Sequence, residues 1–208
     1  MYKLSNLASK SLIEDFTGSK LRYPKLYRPR RKIDGLKEQN INILLMETPL
    51  EISFGIWGAL PQMYEESWRK FQRLKSTLYV RANEIDNSVL YRDALLKRRC
   101  LVVVTGFYTY ELRSNTVEKY LVEKPDRKPF YLAGVYNYTR DGFYTCSIIS
   151  VNPSEQLNSI NNLHETMPLQ IPDVFKRIWL NTESTKEEID YLISKPYETK
   201  FDIQKIAS

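Results

Sequence analysis

Short apolar runs broken by charged or turn-forming residues fill the middle of this chain, while helical spacing returns towards both ends. At the start, Leu12, Ile13 and Phe16 share one helical face, which predicts a helix over 9–16. Strands are predicted over 41–46 and 51–57, a short helix over 62–74, and an extended segment over 77–85. Leu90, Leu95 and Leu96 mark a short helix over 90–97, and four strands follow over 100–111, 119–123, 130–138 and 143–151. Asn152, Pro153 and Glu155 supply a cap, a first-turn proline and an N3 carboxylate, so a helix should start there and carry Leu157 and Ile160 inward. A helix over 171–180 and another opened by a capping box at Ser184 and Glu187 complete the pattern. Strands in the centre with helices at the ends define an α+β class.

The length of 208 residues suffices for one large domain without staples. No repeat or Gly/Ser linker divides it, so a single domain over 1–208 is expected. Composition is ordinarily globular, with 42% hydrophobic and 27% charged residues. A net charge of +6 and a pI near 9.1 favour an anionic partner, nucleic acid first. The charge is concentrated in residues 20–32, which hold seven cations, no acid, two prolines, Tyr23 and Tyr27. The prolines predict an extended loop, either a solvated surface segment or one in which cations such as Arg28, Arg30 and Arg31 track phosphates while Tyr23 and Tyr27 stack on bases. Cys100 and Cys146 lie in apolar runs and read as buried thiols in a reducing compartment. No apolar run approaches 18 residues and the start lacks a secretory core, so a cytoplasmic protein is expected, as a monomer. One histidine and no Cys-x-x-Cys argue against a metal centre, and seven glycines leave little room for a phosphate loop; no cofactor is expected.

Residues 98–110 read Arg-Arg-Cys-Leu-Val-Val-Val-Thr-Gly-Phe-Tyr-Thr-Tyr, a buried strand that turns at Gly106 into an aromatic ledge. Trp57-Gly58-Ala59-Leu60-Pro61 precedes it. Pro129 to Gly134, His164-Glu165-Thr166-Met167-Pro168 and Trp179-Leu180 follow. In this order, across about residues 50–180, the set resembles the SOS response-associated peptidase (SRAP) family. That resemblance implies a mostly antiparallel, barrel-like core with flanking helices, and recognition of abasic sites in single-stranded DNA, with Trp57 at the DNA surface.

The resemblance also implies a chemistry that this chain departs from. Family members use a cysteine directly behind the initiator methionine, whose freed amine and thiol trap the ring-opened sugar as a thiazolidine. Here the position is Tyr2, which has no thiol and is too bulky for ordinary methionine removal, so Met1 is expected to stay. Aligned without gaps, Arg81 matches the family's cleft arginine and Tyr79 stands where its asparagine belongs. Asn83 could be recruited by a shifted reading, yet four strand residues span roughly 13 Å. Thr109 replaces the catalytic glutamate. Glu111 faces the same side roughly 7 Å along a regular strand, and either a bulge brings it into play or it stands exposed at the strand end. His164 matches the family's catalytic histidine, with Asn161 the corresponding position in some relatives, and Thr166 stands in place of an arginine. Its ordinary pKa near 6.5 suits acid–base work.

Three readings follow. The leading one is a degenerate SRAP-fold protein that binds single-stranded or abasic DNA without covalent capture. The second is an enzyme with reduced abasic-site or autopeptidase chemistry using the Met1 amine, His164 and Glu111. The third is a protein-interaction module on the same fold.

Overall fold

The computed structural model describes residues 2–163, 165–197 and 199–206. Its core strands are β4 (Asn40–Leu45), β5 (Glu51–Trp57), β7 (Arg99–Val104), β10 (Phe130–Tyr138) and β11 (Tyr144–Val151). The preceding and intervening strands are β1 (Lys3–Asn6), β2 (Lys20–Leu21), β3 (Arg30–Asp34), β6 (Tyr79–Arg81), β8 (Gly106–Arg113) and β9 (Thr116–Glu123). Later come β12 (Met167–Pro168), β13 (Gln170–Ile171) and β14 (Asp202–Ile206). The helices are α1 (Lys10–Thr17), α2 (Trp68–Leu74), α3 (Arg92–Lys97), α4 (Glu155–Asn158), α5 (Lys176–Leu180) and α6 (Lys186–Ser194).

Strands β11, β10, β7, β4 and β5 pair antiparallel in that order, and β5 then returns to β11 in parallel, closing a five-stranded barrel. All six residues of β7 are buried, as a run without period-2 alternation requires when both faces are covered. The interior is tight enough to demand glycine. A Cβ on Gly134 would meet Cys100 Sγ and the Ser147 carbonyl, both at 2.9 Å, and one on Gly55 would meet Ile43 Cδ1 at 2.7 Å. Cys100 and Cys146 are fully buried free thiols, and burial pushes both thiol pKa values up.

The predicted strand over 100–111 is two strands. Thr105 leaves the barrel, donates its backbone N–H to the Ser5 carbonyl (2.9 Å), and accepts from Leu7 N at its hydroxyl (3.0 Å). The chain thereby enters a second, antiparallel sheet ordered β14-β9-β8-β1-β3. Strands β1 and β14 carry too few apolar residues to be recognised by alternation, and the sheet supplies their context.

Other differences have local causes. The predicted helix over 62–74 shrinks to α2 because Met63 has a left-handed φ of 60° and donates to the Tyr138 carbonyl, tying the segment to the end of β10. The predicted helix over 171–180 begins as β13, which pairs with Tyr131 and Leu132; Pro172 follows, and α5 starts at Lys176. The cap expected at Asn152 falls on Ser154, and the capping box shifts by one residue to Thr185 and Glu188. Helix α1 begins as expected, with Ser9 Oγ accepting from Leu12 N.

Arg99, 1% exposed, ties the barrel to its helices. Its Nε donates to the Trp179 carbonyl (2.7 Å), Nη1 to the Leu95 and Leu96 carbonyls (2.9 Å each), and Nη2 to the Asn181 carbonyl (2.5 Å). These acceptors lie at or just beyond the C-terminal ends of α3 and α5, where carbonyls lack intrahelical partners and the helix dipole favours a cation. Burial lowers the guanidinium pKa, yet it stays charged. Arg99→Leu should strand these carbonyls and cost about 3–5 kcal/mol of unfolding free energy, measured by urea denaturation.

Candidate functional site

Strand β8 carries the residues that the family resemblance singles out. Its register with β9 is continuous from Gly106↔Glu123 to Arg113↔Thr116, so no bulge interrupts alternation between these strands. Thr109 and Glu111 therefore face one side, Tyr108 and Tyr110 the other.

On the first side, Thr109 Oγ1 lies 2.7 Å from Asn161 Oδ1. Asn161 Nδ2 donates to the Thr166 carbonyl (2.6 Å), which fixes the amide orientation and makes Thr109 the donor. Both side chains are buried, and neither titrates. Glu111 is 6% exposed, so the exposed strand-end placement is overturned. It accepts from Tyr120 Oη at 2.8 Å and from Arg113 Nη2 at 3.1 Å. Tyr120 Oη also lies 2.7 Å from Glu118, which Lys205 pairs at 2.6 Å. One hydroxyl proton is thus shared between two carboxylates, and their hydrogen bonds, Glu118 first, raise the phenol pKa. His164 and Met1 lie outside the described residues.

On the opposite side of β8, the Tyr2 ring stacks on Tyr110 with centroids 4.9 Å apart and planes 10° from parallel. Lys3 Nζ caps both rings at 4.7 and 5.6 Å. Burial first, then the hydrogen bond with Tyr2, raises the Tyr110 pKa. The side chain at position 2 is thus committed to a cluster with Tyr108, Tyr110 and Leu121, away from Thr109.

Strand β6 lies parallel to β11, with Tyr79↔Ile148 and Arg81↔Ser150. The expected extended segment over 77–85 stops at Arg81, where a 3-10 turn over Ala82–Glu84 shortens the advance per residue. As a result Asn83 lines a cavity of about 820 Å³ together with Tyr79, Phe71 and Tyr91, and also one of about 440 Å³ together with Arg81 and Thr166. The separation expected of a continuous strand does not apply. Arg81 is exposed and forms no ion pair among the described residues, and burial raises the Tyr79 pKa against the pull of Arg81. Thr166 lines the smaller cavity, and its carbonyl is linked by hydrogen bonds through Asn161 to Thr109.

The basic segment 20–32 is not one open loop. It contains β2, a turn, and the start of β3, which pairs with β1 at the sheet edge. Tyr27 is 1% exposed, its hydroxyl donating to the Ala8 carbonyl at 2.6 Å, so its ring offers no face to a base. Trp57 is likewise fully buried, with Nε1 donating to the Leu78 carbonyl at 2.8 Å. Both belong to the core rather than to a DNA surface. Tyr23 is the exposed ring of the segment, at 47%. Lys20 pairs with Glu14 and Arg22 with Glu51, whereas Arg28, Arg30 and Arg31 form no ion pair among the described residues. Arg28 Nη1 donates to the Lys25 and Tyr27 carbonyls, and Arg30 Nη2 to the Asn40 carbonyl. Arg31 is exposed, and its carbonyl accepts from Tyr108 Oη at 2.8 Å. Among the described residues no group of three or more His, Cys, Asp or Glu is placed to hold a metal ion. No described helix is long and apolar enough to cross a membrane.

A five-stranded barrel flanked by a sheet that presents position 2 beside β8 defines an α+β fold of a known kind. The family model for SOS response associated peptidase (SRAP) matches residues 5–208, and the chain belongs to that family. Among curated relatives, the abasic site processing protein YoqW of Bacillus subtilis is 26% identical over 148 residues, covering 68% of this chain and 62% of the relative. The abasic site processing protein YMR114C of Saccharomyces cerevisiae is 24% identical over 153 residues, covering 71% of this chain and 40% of the relative. These matches span less than two thirds of either relative. A crystal structure of a protein from Bacteroides thetaiotaomicron superposes with a TM-score of 0.88 at 23% identity, covering all of this chain and 92% of that one. One from Bordetella bronchiseptica gives 0.81 at 15% identity, covering all of both chains.

The buried phenols of Tyr27 and Tyr91 report directly on packing. Burial raises the Tyr27 and Tyr91 pKa values from 10.0 to about 12. Because the folded pKa is the higher one, their contribution to stability is fully present below pH 10 and is lost as pH rises towards 12. Ultraviolet titration should show a late phase of tyrosinate formation, from the buried phenols, that coincides with loss of the folded circular dichroism signal. Full ionisation near pH 10 with the fold intact would contradict the burial described.

Proposed function

We propose that the protein binds single-stranded or abasic-site DNA in the response to DNA damage, and that its covalent chemistry is degenerate. The observation that carries this reading is the Tyr2–Tyr110 stack: the residue at the family's cysteine position has no thiol, and its ring packs on the face of β8 opposite Thr109. At the glutamate position, Thr109 is engaged with Asn161 in a neutral pair that exchanges no proton with substrate. The DNA assignment draws on family membership, on relatives named as abasic site processing proteins, and on a net charge of +6. Arg81 at the smaller cavity and Arg31 at the β3 edge supply phosphate contacts, with guanidinium geometry suited to a forked interaction. Buried free thiols fit a reducing, cytoplasmic setting, and a monomer suffices for this mode of binding.

Incubation with an abasic single-stranded oligonucleotide should leave no heat-stable adduct on a denaturing gel, and a stable adduct with the native chain would overturn the degenerate reading. Tyr2→Cys alone should not restore full capture, because Thr109 and Tyr79 remain. Reversible binding should weaken with salt at a log–log slope of about −3, as expected for roughly four neutralised phosphates. Arg81→Ala and Arg31→Ala should each reduce the magnitude of that slope by about 0.7. A flat salt response would remove the DNA-binding reading itself.

A further inference from the structure

A hollow of about 450 Å³ lies on the side of the barrel where β4 and β5 meet the basic segment, lined by Arg28, Arg30, Asn42, Phe54, Leu26 and Glu38 among others. Asn42 is its unusual member. The side chain is 7% exposed, and its Nδ2 is buried without a hydrogen-bond partner among the described residues. The orientation is set by a neighbour. Asn6 Oδ1 accepts from Ala8 N (3.3 Å) and Asn6 Nδ2 donates to the Val103 carbonyl (3.2 Å), so Asn6 has only its amino group to offer Asn42. That group donates to Asn42 Oδ1 at 3.2 Å, which leaves the Asn42 amino group as the unused end. A buried donor without an acceptor is destabilising, so a ligand that supplies the acceptor is favoured.

The surroundings specify what would satisfy it. Arg28 and Arg30 line the same hollow, with no carboxylate partner among the described residues, and each has donors beyond those given to its carbonyl acceptors. Glu38 is exposed, so its charge is well screened by water. Phe54 stands opposite Asn42 in the β4–β5 register, on the same face of the sheet. Its ring lies nearly parallel to that of Tyr23, 9° between planes and 6.5 Å between centroids, and Tyr23 is half exposed with Arg22 near its face. Two guanidinium groups and an amide donor beside a pair of aromatic rings match an oxyanion attached to a flat ring.

We propose that this hollow is a seat for one nucleotide: its phosphate on Arg28 and Arg30 and, once the side chains covering it give way, on the buried Asn42 amide, its base against the Tyr23–Phe54 pair. Where the nucleotide belongs to a DNA strand, the seat extends the DNA-binding reading above and rests on it. Where it is a free mononucleotide, the seat stands independently.

Deoxyadenosine monophosphate and a short oligodeoxyadenylate serve as probes, followed by nuclear magnetic resonance and fluorescence anisotropy respectively. Asn42→Asp keeps the acceptor for Asn6 but puts a negative oxygen where the free donor was; Arg30→Gln removes one charge. Circular dichroism and thermal melting identify variants that fold. Each folded variant should weaken binding of at least one probe about tenfold or more, as loss of a charge-assisted contact predicts. Loss with the oligomer assigns the seat to a strand, and loss with the mononucleotide alone assigns it to a free nucleotide. If folded variants bind both probes as the native chain does, or if neither probe binds the native chain, the seat is wrong. Oligomer binding that falls with Arg31→Ala but not with Asn42→Asp or Arg30→Gln would reject the seat and leave the DNA-binding reading standing.

Discussion

The barrel closes through a short parallel contact, Thr145↔Ile56 and Cys146↔Trp57, and the placement of the site follows from it. Strand β11 has more length than this contact uses. Its second half is free to take β6 in parallel and β12 antiparallel. That arrangement sets Arg81 beside Ser150 and brings Thr166, just before β12, to the same cavity. Arg99 then fixes the helix ends against the barrel wall from outside, so the strand order and the helix positions depend on one another.

The second constraint is the change of sheet at Thr105. A single chain segment supplies a barrel strand and then the central strand of a different sheet, so β8 is held on one edge by β1 and on the other by β9. Position 2 comes to β8 only because β1 pairs there. The same pairing orders β3 and its cations next to the N-terminal segment. Position 2, β8 and the basic edge are therefore products of one sheet, although more than 70 residues separate β3 from β8 along the chain.

Much of the barrel is legible because its strands are predominantly apolar and end at turn residues; 51–57 and 130–138 coincide with β5 and β10. The family pattern was legible for a related reason, since it sits mainly on those strands. What sequence missed depends on partners far away. Tyr23 and Tyr27 share a proline-rich, cationic context, yet Tyr27 turns inward because the Ala8 carbonyl is there to accept its proton. Trp57 carries a motif that reads equally well as core or surface, and only the closed barrel buries it. Strand spacing alone keeps Asn83 away from the position of Tyr79, and a three-residue turn cancels that spacing. Asn42 gave no signal at all, because an unused amide donor is a property of its neighbours rather than of its position.

The interior glycines limit how this barrel can diverge. At Gly55 the nearest obstacles, Ile43 Cδ1 and Cys146 Sγ at 3.1 Å, are both side chains. A larger residue there can be accommodated by shrinking those two, so the three positions can drift together as a compensated set. At Gly134 one obstacle is the Ser147 carbonyl, part of the neighbouring strand's backbone, and no exchange of side chains removes it. Two glycines alike in composition thus differ in epistasis: one is negotiable among its neighbours, while the other is held by the ladder itself.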